Sequence, residues 1–162
     1  MGRKIVFVLC IGVFIWGVYG VLHRTVPVDK YIGSVYITDE SGKHELKGYK
    51  AISTSGDEIT TYDLPSLDKL SDELYVVSRK SGTMNEGESG SGLSLSFEKD
   101  YYGDVSYTLY DSSNKELYKD RTELKIPGDR AGDYIVRAEV TWGRKDNNIT
   151  LMYFFKISFT DK

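Results

Sequence analysis

The sequence predicts an all-β domain of antiparallel strands stacked in two layers, behind a single N-terminal apolar helix. Three observations predict it. Residues 132–159, GDYIVRAEVTWGRKDNNITLMYFFKISF, alternate apolar and polar side chains on both sides of a polar turn. Short runs rich in β-branched and aromatic residues recur between clusters of Gly, Asp, Asn and Ser from residue 31 onward, the spacing of an all-β fold. The one long uncharged apolar stretch, residues 5–22, lies at the extreme N-terminus.

That stretch is the first element. Arg3 and Lys4 precede it and His23 and Arg24 follow it. At ~1.5 Å of helical rise per residue it reaches about 27 Å, close to the ~30 Å hydrocarbon core of a bilayer. Residues 1–24 therefore read as a membrane anchor. Their basic start favours a cytoplasmic N-terminus, with the rest of the chain outside the cytoplasm. A cleavable signal is the competing reading: Val18-Tyr19-Gly20 offers a cleavage site, and cleavage there would release a secreted protein. The length of the run favours the anchor. Cys10 follows Leu9, where a lipoprotein signal wants a small residue, so it reads as a thiol within the helix.

Residues 25–162 make one domain, long enough to bury roughly two-thirds of its unfolded surface. It has no cysteine, so neither a disulfide framework nor a thiolate zinc site is available to it. All 24 acidic residues fall in this domain, against 18 of the 21 Lys and Arg, a net charge of −6. That balance argues against nucleic acid or anionic lipid as the main partner.

Strands are expected at 31–38, at 45–53, more weakly, and at 59–62, with turns at Asp39-Glu40-Ser41-Gly42 and Ser55-Gly56-Asp57. Leu64, Leu67, Leu70 and Leu74 recur every three or four residues behind Pro65, which places them on one face of a short helix. Strand character returns at 74–80. Residues 82–92, GTMNEGESGSG, bury almost nothing and read as a flexible loop. Further strands are expected at 93–97, 105–109 and 117–125, with Asp111-Ser112-Ser113-Asn114 turning the chain. In the closing ribbon Tyr134, Val136, Ala138, Val140 and Trp142 share one face. Ile149, Leu151, Tyr153, Phe155, Ile157 and Phe159 do the same after a hairpin loop at 143–148. Met152 and Phe154 fall on the opposite side, so that strand is covered on both faces or its outer face binds something.

Leu124-Lys125-Ile126-Pro127, followed by Ala131-Gly132-Asp133-Tyr134-Ile135-Val136, resembles the tyrosine corner of immunoglobulin-like and fibronectin type III-like sandwiches. The resemblance covers about 35 residues. It implies an antiparallel immunoglobulin-like β-sandwich in which Tyr134 sends its hydroxyl back to upstream backbone. It also implies structural roles for Tyr134, Val136 and Trp142. Val136 stands where true immunoglobulin domains carry a cysteine, so the relatives implied are the disulfide-free ones of bacterial surfaces.

Catalytic signatures are sparse. His44 is the domain's one histidine, in a turn-like setting that reads as an exposed polar residue. There is no Gly-x-Ser-x-Gly elbow, Ser-x-x-Lys pair or phosphate-binding loop. Asp100 and Asp104, and Asp129 and Asp133, bracket glycines but read as turn caps rather than a calcium loop. No cofactor and no metal are expected. Asn148-Ile149-Thr150 fits a glycosylation acceptor and reads as chance. Tyr101 and Tyr102 beside Gly103 are the binding candidates, as flat faces for a sugar or a protein. The expected function is a membrane-tethered extracytoplasmic binding module without catalysis, an accessory or sensor subunit with a protein or glycan partner. A carbohydrate-binding surface module is the alternative, and a carboxylate-based hydrolase comes third.

Overall fold

The computed structural model describes residues 27–39, 41–80, 94–120, 124 and 132–160. A 3-10 turn, Val28–Tyr31, opens the described chain. Strands β1 (Val35–Asp39), β2 (Gly42–Leu46), β3 (Gly48–Ser55) and β4 (Glu58–Thr61) follow, then one helical turn, α1 (Leu67–Leu70). The remaining strands are β5 (Val76–Lys80), β6 (Ser94–Phe97), β7 (Ser106–Tyr110), β8 (Glu116–Asp120), β9 (Gly132–Arg144) and β10 (Asn147–Thr160). The fold is all-β and mostly antiparallel.

Two sheets result. One has three strands in the order β2-β1-β6, and the other has seven, running β4-β3-β10-β9-β7-β8 with β5 also on β10. Strand β10 organises the larger sheet. One side pairs with β9 from Asn147↔Arg144 to Phe159↔Gly132. Its other side is divided: residues 147–153 pair with β3 and residues 156–160 with β5. The β5 pairing is parallel, a departure from the purely antiparallel expectation.

The alternation of the ribbon places its inward side chains as expected. Val136, Ala138, Val140 and Trp142 are fully buried, and Tyr134 is nearly so. Ile149, Leu151, Tyr153, Phe155, Ile157 and Phe159 join them from β10, and Val35, Ile37 and Leu46 close the cluster from the smaller sheet. Each large side chain buried there contributes roughly 1.5–3 kcal/mol, which is why the smaller sheet packs on this face. Inside it, Trp142 Nε1 donates to the Tyr153 hydroxyl at 3.2 Å. Tyr134 lies edge-on to Phe159, ring centres 6.0 Å apart.

The opposite face of the larger sheet has its own cluster. Ala51, Tyr110, Ile135, Met152 and Phe154 pack beneath Leu70, with Leu67, Leu74 and Tyr49 around them. The leucines at helical spacing thus cover the side chains that broke the alternation in β10.

Four expectations are corrected. The run 45–53 is two strands in different sheets, parted at Lys47. A Cβ at Gly48 would lie 2.7 Å from Leu151 Cδ2 and 2.9 Å from Tyr153 Cε1, so only glycine lets the chain cross that close to the core. The strand expected at 31–38 begins only at Val35, Tyr31 closing the 3-10 turn instead, and Val28, Tyr31 and Ile32 pack against the core. The closing hairpin turns on Lys145 and Asp146 alone, tighter than the 143–148 loop. Ten strands are present among the described residues, where about eight were expected.

The anchor or signal segment, the 82–92 loop and residues 125–131 upstream of Tyr134, Asp129 among them, lie outside the described residues. Among the described residues no helix is long and apolar enough to cross a membrane.

Candidate functional site

Among the described residues the outer face of the larger sheet is only half covered. Arg137 marks the border: its Nη2 donates to Thr108 Oγ1 at 3.1 Å and its guanidinium lies over the Tyr110 ring, 5.7 Å from the centre. On one side are the α1 leucines and the apolar cluster. On the other, towards the β9–β10 turn, the same face is polar and open.

Here a groove of about 400 Å³ is lined by Tyr102, Gly103, Asp104, Ser106, Lys119, Glu139, Thr141, Asn148 and Thr150. The register explains the grouping. Ser106 on β7 stands opposite Glu139 on β9, and Thr141 stands opposite Thr150 on β10. Lys119 on β8 stands opposite Thr108. These are outward positions of four neighbouring strands, of which β7, β9 and β10 are flanked by strands on both sides and β8 is the last of the sheet, so most of the floor's backbone groups are used by the ladder. Ligand contacts on this floor therefore belong to side chains.

Several groups are held ready. The Thr141 and Thr150 hydroxyls bond each other at 2.9 Å, which uses one of their two protons and leaves one to donate. Asn148 Nδ2 donates to the carbonyls of Arg144 and Lys145 at 3.0 and 2.9 Å. Both amide protons are thereby used and Oδ1 is left as acceptor. No described residue pairs with Asp104, Lys119 or Glu139. At the rim, the Tyr102 backbone N–H donates to the Thr141 carbonyl at 2.7 Å. Gly103 follows at φ +77°, a left-handed turn that favours glycine.

The two tyrosine candidates separate here. Tyr102 is 44% exposed and edges the groove. Tyr101 is 40% exposed, but its ring lies 4.5 Å from that of Phe97, which in turn meets Trp142 edge-on. Tyr101 is thus built onto the flank of the core, and the groove does not include it. Tyr134, Val136 and Trp142 are buried in the core. Asp133 is no turn cap: it takes Lys156 Nζ at 2.6 Å and the Ser158 hydroxyl at 2.7 Å. The bond from Lys156 holds its carboxyl below the usual range.

A second polar cluster involves His44. Asp39 Oδ1 accepts from the Ser41 hydroxyl at 2.6 Å and its backbone N–H at 2.7 Å, and Oδ2 accepts from the Tyr75 hydroxyl at 2.9 Å. His44 Nε2 lies 2.9 Å from Ser41 Oγ, and its ring stacks on Tyr75 at 4.2 Å. Ser, His and Asp together invite comparison with a catalytic triad, but the polarity is wrong. The single Ser41 proton goes to Asp39 at the shorter distance, so Nε2–H donates to the serine instead of accepting from it. Asp39 also sits 4.0 Å from that same Nε2, whereas a triad carboxylate holds the far nitrogen. The cluster is a clasp between the β1–β2 turn and the start of β5. His44 is therefore not the free turn residue expected. The donated Ser41 bond holds Asp39 below the usual carboxylate range, and burial pushes the Tyr75 phenol up.

Among the described residues no three His, Cys, Asp or Glu groups are placed to share a metal. Compared with family models, curated proteins and solved structures, the chain matches none.

Sequence reasoning missed most of the groove. Glu139 and Thr141 look like ordinary outward positions, Asp104 stood out only as a turn cap and Asn148 and Thr150 only as a chance glycosylation acceptor, and Tyr102-Gly103 alone carried a binding signal.

Proposed function

We propose that the chain is a membrane-tethered extracytoplasmic binding module without catalytic activity, an accessory or sensor subunit that holds its ligand in the Tyr102 groove. One observation carries the reading: a sheet face sealed by leucines at one end carries, at the other, an open groove whose charged groups have no described partner. Acid and ammonium groups without a partner among the described residues, converging with an exposed aromatic, are the polar contacts a binding cleft needs. The tether is supported by the apolar length of residues 5–22. Kinship with immunoglobulin-like sandwiches is supported by the closing ribbon and the burial of Tyr134 at its start. The clasp geometry supports the absence of serine catalysis.

Cross-linking in intact membranes followed by recovery of the full chain tests this. A partner captured by the wild-type chain and lost with Glu139→Lys is the expected result. Repeated recovery of nothing, together with measured turnover, would defeat it.

A second reading has an observation in its favour: Asp104 and Glu139 share the groove, as a carboxylate-based hydrolase requires. In that case Glu139→Gln abolishes turnover while leaving ligand retention intact. For a binding module there is no turnover to abolish, and retention falls.

A further inference from the structure

We infer that the occupant of the Tyr102 groove is an uncharged polyhydroxylated ligand, a mono- or disaccharide unit of a glycan, stacked on Tyr102. The inference rests on the binding-module reading and adds its ligand class. Four features of the groove carry it.

Its size, about 400 Å³, is that of a small-molecule cleft, ~300–1,000 Å³. Among the described residues its lining holds no aliphatic side chain beyond threonine methyls, so an acyl chain or an apolar peptide side chain gains little there. Its floor is the face of a ladder in which β7, β9 and β10 have neighbours on both sides and only β8, carrying Lys119, stands at an end, so a peptide lying across that floor finds no backbone partners to add to. Its charges are mixed, with Asp104 and Glu139 against Lys119. A phosphate or polyanion therefore meets two repelling carboxylates, and a divalent cation meets an ammonium group.

What remains is a ligand that both donates and accepts many hydrogen bonds and carries one flat apolar face. Glu139, Asp104 and Asn148 Oδ1 accept from ligand hydroxyls. Lys119 and the spare Thr141–Thr150 proton donate to ligand oxygens. Neighbouring hydroxyls of a pyranose match this alternation. The axial C–H face of the same ring packs against an aromatic such as Tyr102, whose π-face is electron-rich. Tyr101, turned onto Phe97, contributes nothing.

The test uses the full chain in detergent on a printed array of hexose, N-acetylhexosamine and uronic-acid oligosaccharides, with titration calorimetry on whatever is retained. Retention of a neutral oligosaccharide is expected. Tyr102→Ala and Glu139→Gln should each weaken it at least tenfold, Tyr102→Phe should restore most of it, and Tyr101→Ala should change it less than twofold. Unaltered thermal unfolding of each variant shows that the sheet is intact. An empty array alongside a captured membrane partner overturns the ligand class while sparing the binding module. Displacement by free amino acids also overturns it, as does retention indifferent to Tyr102→Ala. Retention followed by hydrolysis supports the ligand class and overturns the non-catalytic reading instead.

Discussion

Replacing Tyr153 by Phe removes one oxygen from the interior and strands its partner. Tyr153 is 2% exposed and Trp142 is fully buried, and the indole N–H spends its only donor on the Tyr153 hydroxyl at 3.2 Å. Without that acceptor the indole keeps its desolvation cost and loses its compensation, about 1–3 kcal/mol. Trp142→Phe strands the phenol instead and also leaves a void, about 2–3 kcal/mol together. The double variant removes both polar groups, so its loss falls short of the sum of the single losses by about 1 kcal/mol. Urea unfolding followed by circular dichroism measures all four proteins, and an unchanged denaturant slope shows that only stability moved. Trp142 is the one tryptophan beyond residue 24, so in a Trp16→Phe background its fluorescence reports the same transition from inside the core. Losses that add to within ~0.3–0.5 kcal/mol would refute the coupling, and with it the picture of these two side chains meeting in an interior without water.

Four further outcomes are expected. Gly48→Ala should cost about 1–3 kcal/mol, because its methyl meets Leu151 and Tyr153 well inside contact distance, and packed side chains yield little; thermal unfolding reads the loss. Leu70→Ala should cost about 2–4 kcal/mol and raise binding of a hydrophobic dye, since Leu70 covers Met152 and Phe154. Asp39 and Asp133 both have carboxyls held below their unfolded values. Their contribution is therefore complete above the unfolded pKa of ~3.9 and is lost as pH falls through the folded values. Urea midpoints should drop below about pH 4, and a chain carrying Asp39→Asn with Asp133→Asn should show a shallower drop; an unchanged acid slope would contradict the assignment. Ser41 should stay unlabelled by a serine-directed fluorophosphonate at any pH from 5 to 9, because its proton is committed to Asp39; labelling detected by mass spectrometry would reverse that reading.

What was legible in the sequence was whatever local alternation determines. Tyr134 through Trp142 and Ile149 through Phe159 announce a buried face because a strand's side chains repeat every second residue. Met152 and Phe154 announced an outer face that is either covered or binds something, and Leu67, Leu70 and Leu74 announced a short helix, but only the structure shows that the one covers the other. Direction and partner choice are another matter. Val76 and Val77 read as strand, yet nothing in VVSRK says that it runs parallel to β10, because pairing direction depends on where the chain returns. Gly48 reads as an ordinary glycine in a weak strand until the core beneath it is known. The groove draws on residues from 102 to 150 whose types are those of any solvated strand face. Their convergence is a fact of register. The clasp is half local: Asp39, Ser41 and His44 are neighbours in sequence, but Tyr75 comes from 34 residues beyond Ser41.

The place of β10 has a consequence for synthesis. Strands β3, β5 and β9 all take their partner from residues 147–160, which are made after every one of them. Until that segment emerges, the larger sheet has no centre, and the earlier strands expose edges competent to pair with other chains. Acquisition of the native state should therefore be late and abrupt rather than progressive. A nascent chain halted before residue 147 should be protease-sensitive and dependent on chaperones, and one halted on a C-terminal linker that carries residue 160 clear of the ribosome should resist digestion.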